Sequence, residues 1–72
     1  MKLTQRELEV LKLLCLSDKD IAKRLIISIR TVKCHVHNIL NELVCENRQK
    51  ALIKALKLGV VTLNDIEVND AQ

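Results

Sequence analysis

The chain has 72 residues, enough for one small domain and too few for two independent cores. Apolar residues make up 49% of it but Phe, Tyr and Trp are absent. The core must therefore be Leu, Ile, Val and Ala, and single-stranded nucleic acid recognised by stacking on aromatic rings is disfavoured. Net charge is +3, but residues 62–72 hold Asp65, Glu67 and Asp70 with no Lys or Arg, which leaves twelve basic and six acidic residues in 1–61, a net of +6.

Thr4 followed by Glu7 fits a capping box, so a first helix begins near Gln5, with Leu8, Leu11 and Cys15 as its buried stripe and Val10 and Leu14 beside them. Ser17 and Asp18 offer the next N-cap, and a short second helix carries Ile21, Ala22 and Leu25 inward. Ser28 caps a third helix over 29–43, leaving only Ile26, Ile27 and Ser28 between the two, the spacing of a helix-turn-helix unit. At about 100° per residue, Val32, Val36, Ile39, Leu40 and Leu43 share one arc of that helix. Arg30, Lys33, Cys34, His37 and Asn41 share another, so one side packs and the other is free for a partner. Asn47 or Glu46 starts a fourth helix that ends at Gly59, with Ala51, Leu52, Ala55 and Leu56 inward. Val60, Val61 and Leu63 are expected to return to the core, and the acidic segment 62–72 to be a mobile tail.

Lys19, Lys23, Arg24, Arg30 and Lys33 face only Asp20 in their stretch, a cluster suited to phosphate backbones. A solvated basic face without a partner has the same signature. Cys15, Cys34 and Cys45 are an odd set without CxxC spacing, which argues against a disulfide framework. Cys34 and His37 share a face, but a tetrahedral zinc site needs four ligands, so no metal and no cofactor is expected. No apolar run reaches the roughly 18 residues of a membrane span and no cleavable signal is visible, which points to a reducing, cytoplasmic setting away from membranes. There is no phosphate-cradling glycine loop and no nucleophile spacing among His, Asp and Ser, so an enzyme is not expected.

Taken in order, these residues carry a resemblance. Leu3-Thr4-Gln5-Arg6-Glu7-Leu8-Glu9-Val10-Leu11 resembles the LTxRExEVL opening of the LuxR-type helix-turn-helix family, which includes the output domains of NarL/FixJ-like response regulators. Ile21-Ala22, Leu25, Ile27-Ser28 and Thr31-Val32-Lys33 resemble IAxxLxISxxTVK, and His35, Asn38-Ile39, Leu43, Asn47-Arg48 and Ala51 continue the register. The chain departs in its shorter first connection, which lacks a glycine, and in Glu42 and Cys45, where the family has Lys and Val.

The resemblance implies an all-α, four-helix domain over 1–61 that binds double-stranded DNA for a transcription regulator, as part of a two-component system or as a short stand-alone protein. The third helix would lie in the major groove, with Lys33, Cys34 and His37 reading bases. Phosphate contacts map onto Lys19, Thr31 and Asn38, and Lys23, Arg24, Ser28 and Arg30 join them on charge and position. The fourth helix would make a homodimer, with Ile53 and Leu56 as seam residues, and RNA polymerase is a candidate further partner. Arg48 is expected to reach phosphate or to pair with Glu46. His35, on neither arc, reads as a packing or hydrogen-bonding residue. The competing reading is a helical protein-interaction adapter that keeps this fold without binding DNA. A likeness to the promoter-binding end of a sigma factor is disfavoured by the Asn47-Arg48 and Ala51 match.

Overall fold

Four backbone N–H groups at the start of a helix have no partner within it, and here each of the four α-helices supplies one from a side chain just outside. The computed structural model describes residues 2–68. Thr4 caps α1 (Gln5–Lys12), Ser17 caps α2 (Asp18–Leu25), Ser28 caps α3 (Ile29–Leu43) and Asn47 caps α4 (Arg48–Leu58). The accepting oxygens lie 3.1, 3.1, 3.0 and 2.9 Å from the N–H groups of Glu7, Asp20, Thr31 and Lys50. Each cap contributes about 1 kcal/mol. At Thr4 the box is complete, because Glu7 Oε1 accepts from the Thr4 N–H at 3.1 Å. Among the described residues there is no strand, so the domain is all-helical as the patterning implies.

The last three helices end alike. Ile26, Val44 and Gly59 adopt left-handed conformations with φ of 57°, 55° and 75°. The next N–H then folds back onto the helix: Ile27 to Ala22 O (3.0 Å), Cys45 to Leu40 O (3.0 Å) and Val60 to Ala55 O (2.9 Å). Glycine does this freely, whereas a β-branched residue is strained by about 1–2 kcal/mol. Ile26 and Val44 are 90% and 82% exposed, so burial offsets little of that strain. Val44→Gly is therefore expected to raise stability by about 1 kcal/mol, net of the extra freedom glycine gives the unfolded chain. A urea-unfolding midpoint that stayed put or fell would contradict the strain.

α3 is the axle of the domain, since α1, α2 and α4 all pack on it. Its Val32, Ile39 and Leu43 meet Val10 and Leu11 of α1, Ile21 and Ala22 of α2 and Ala51 and Ala55 of α4 in one buried cluster. Leu8, Leu25, Val36, Leu40, Leu52 and Leu56 close its margins. The small side chains of Ala51 and Ala55 bring α4 close.

Three sequence expectations are corrected here. Cys15 is exposed. α1 stops at Lys12 and the chain turns through Leu13 N–H to Val10 O and Leu16 N–H to Leu13 O, both 2.9 Å. Helical spacing no longer applies at Cys15, and Leu13, Leu14 and Leu16 are buried instead. Arg48 neither faces solvent nor meets Glu46, which pairs with Lys50. Its guanidinium reaches into the first connection, donating to Leu14 O (3.2 Å), Leu16 O (2.9 Å) and Asp18 Oδ1 (2.7 Å).

The third correction concerns Leu63. Val61 returns to the core but Leu63 is exposed. The chain stays on the domain beyond Val61: Leu63–Asp65 form a 3-10 turn, Ile66 packs on the cluster, and Glu67 N–H donates to Lys12 O at 3.1 Å. The Thr62 N–H bonded to the Asp65 carboxylate, with the Thr62 hydroxyl and the Lys12 charge, holds the Asp65 pKa below the ordinary aspartate range. That turn is fully stabilised above the ordinary value and loses the contribution as pH falls through the lowered one. The expected mobility of residues 69–72, Asp70 among them, lies outside the described residues.

Candidate nucleic-acid interface

With one side of α3 occupied by the core, geometry decides what the other presents. Arg30, Lys33, Cys34, His37 and Asn41 are all exposed along it, while Val32 and Ile39 opposite are fully buried. Lys33 and Arg30 make no ion pair among the described residues, and the same holds for Lys19 and Lys23 on α2. Four exposed cations without ion-pair partners among the described residues thus lie on the two helices, Arg30 and Lys33 within the outward face of α3 and Lys19 and Lys23 on α2. The N-terminus of α3, with its partial positive charge, lies at the same end as Arg30 and Lys33.

The remaining predicted site residues are more committed. Ser28 Oγ accepts the Thr31 N–H, and the two hydroxyls lie 2.8 Å apart, so one hydroxyl proton of the pair is used between them and one is left to donate outward. Asn38 gives one amide N–H to Glu7 Oε2 at 3.3 Å, tying α3 to the cap of α1. Arg24 is ion-paired with Glu67. Asn41 Nδ2 lies 3.2 Å from His37 Nε2, one turn away on the same face. With the amide donating, Nε2 accepts, and a neutral imidazole then carries its proton on Nδ1.

An open groove of about 400 Å³ between the start of α1 and α3 is lined by Lys2, Thr4, Glu7, Asn38, Asn41 and Glu42. Its two carboxylates, Glu7 and Glu42, mark the acidic end of the α3 surface. The basic strip is the N-terminal part of the helix. His35 is half-buried, with an enclosed Nδ1 that has no hydrogen-bond partner among the described residues. No group of three His, Cys, Asp or Glu side chains among the described residues is placed to hold a metal. No described helix is long and apolar enough to cross a membrane.

Of the two proposed seam residues on α4, Ile53 is 54% exposed, whereas Leu56 is half-buried against its own core. Leu58, not singled out from the sequence, is 57% exposed near the end of the same helix. Sequence reasoning also missed the roles of Arg48 and Glu67. Each acts across a long stretch of chain, where no local spacing announces the partner.

Two short helices joined by Ile26, Ile27 and Ser28, the second presenting a basic outer face, define a helix-turn-helix domain. The comparison with known proteins agrees: residues 1–55 match GerE, the luxR family of bacterial regulatory proteins, and the chain belongs to that family. It is 43% identical over 60 residues to YxjL of Bacillus subtilis (strain 168), described as an uncharacterized transcriptional regulatory protein, covering 81% of this chain and 28% of the relative. It is 44% identical over 62 residues to the transcriptional regulatory protein LnrK of the same organism, covering 83% and 28%. To the response regulator protein VraR of Staphylococcus aureus (strain Mu3 / ATCC 700698) it is 41% identical over 61 residues, covering 82% and 29%. The chain therefore spans less than a third of the length of these curated relatives.

Proposed function

We propose that this domain binds duplex DNA for a transcription regulator, laying α3 in the major groove. Lys33 then donates to guanine O6 or N7, Cys34 lies against a thymine methyl, and His37, oriented by Asn41, offers an N–H to an acceptor on a base edge. Lys19, Lys23 and Arg30 meet phosphates, and the spare hydroxyl proton of the Ser28–Thr31 pair and the second amide N–H of Asn38 add neutral contacts. The observation that carries this reading is the outward polar face of α3, together with four exposed cations on α2 and α3 that have no ion-pair partners among the described residues.

In this reading two copies associate through Ile53 and the exposed part of α4 on an inverted-repeat site, with Leu56 supporting the helix from within. The domain serves as the output unit of a cytoplasmic response regulator, a role supported by the likeness to VraR, and at an activated promoter RNA polymerase is its neighbour. A salt titration of duplex binding, followed by fluorescence anisotropy, tests the electrostatic part. Three cation–phosphate contacts per copy, from Lys19, Lys23 and Arg30, predict that log K falls with log salt with a slope of about −3 per bound copy. Binding to duplex that is immeasurable at about 50 mM salt, where such contacts are strongest, would overturn the reading.

A further inference from the structure

Residues 62–68, the described part of the acidic segment, are held against the domain. Val61 is 2% exposed, the Thr62 N–H donates to Asp65 Oδ2 at 3.0 Å, Ile66 packs on the cluster, and Glu67 N–H is fixed to Lys12 O at the end of α1. These anchors bring the Glu67 carboxylate against the Arg24 guanidinium of α2. The family match ends at residue 55, so this segment lies beyond it. Both partners are about half exposed, at 50% and 51%, and an ion pair so wet adds little to stability. What it does change is the charge on offer: Arg24 belongs to the basic stretch of 19–33, and among those five cations it alone is ion-paired within the described residues.

We propose that residues 62–68 are a built-in competitor for duplex phosphate, with the Glu67 carboxylate occupying the Arg24 guanidinium that a phosphate would otherwise take. The proposal rests on the DNA-binding reading above. A carboxylate and a phosphate present the same chemistry to a guanidinium, paired anionic oxygens, so the two are exclusive there. The backbone anchor at Lys12 keeps the carboxylate at high local concentration, so every binding event includes its displacement. The contact sets the strength of DNA binding without touching its sequence preference, because phosphate contacts carry no base information.

Glu67→Gln removes the charge while keeping the side chain's size and the N–H bond to Lys12. It is expected to tighten binding to a random duplex at about 50 mM salt by roughly threefold to tenfold and to steepen the salt slope by about one. Base preference should not move. The same change made in an Arg24→Gln background should give no gain, because no guanidinium is left to release, and circular dichroism should show the same helix content in all four proteins. A gain of equal size in the Arg24→Gln background would reduce Glu67 to general repulsion and overturn the proposal. So would unchanged binding by Glu67→Gln when the parent binds well. If no variant binds duplex at all, the DNA-binding reading falls first and this one with it.

Discussion

Arg48→Ala is expected to destabilise the domain by about 2–4 kcal/mol, more than any other single surface-reaching polar substitution in it. One guanidinium serves three acceptors, Leu14 O, Leu16 O and Asp18 Oδ1. Removing it leaves two carbonyls of a tight turn and a half-buried carboxylate without a donor. Water replaces these bonds poorly, because buried Leu13, Leu14 and Leu16 occupy the same turn. In a domain of this size each kcal/mol moves the melting temperature by about 4–8 °C, so a thermal melt should show a drop of at least about 8 °C. Arg48→Lys keeps a charge beside Asp18 but cannot serve all three acceptors, and should fall between. An Arg48→Ala protein melting within a few degrees of the parent would show that the first connection holds itself.

The second large effect concerns recognition. Lys33→Ala should weaken binding to a preferred site by about 1–3 kcal/mol and relax discrimination at the base it faces. Lys23→Ala, on the flank, should weaken preferred and random duplexes alike and flatten the salt dependence by about one contact. The contrast follows from position: Lys33 is in the middle of the outward face of α3, and Lys23 is on α2 beside it. Equal losses on preferred and random DNA for Lys33→Ala would move that lysine from the bases to the backbone.

Much of the fold was legible because its signals are local. A serine at 28, helical spacing of apolar residues and a polar complement set the bounds of α3 at 29–43, and Gly59 closed α4 where its lack of a side chain is useful. The outward set of Arg30, Lys33, Cys34, His37 and Asn41 was legible for the same reason: a helix fixes which residues share a side. Cys15 was misplaced because α1 ends without a glycine or proline, the punctuation that spacing arguments depend on. Ile26 and Val44 show the opposite conflict, where residue preference argues against a left-handed turn that the chain nonetheless adopts to end α2 and α3. The partners of Arg48 and Glu67 lie 30 or more residues away, so the contacts that hold the first connection and engage Arg24 were invisible until the chain was folded.

The chain's own cysteines allow the groove-facing side of α3 to be tested directly. Cys34 is exposed on that side, and Cys15 is also exposed, on the connection between α1 and α2. Alkylation of the two thiols, followed by mass spectrometry with and without a saturating duplex at low salt, should show Cys34 strongly protected and Cys15 reacting at its free rate. Cys34 reacting as fast in the complex as in the free protein would place the duplex elsewhere on the domain and contradict the account.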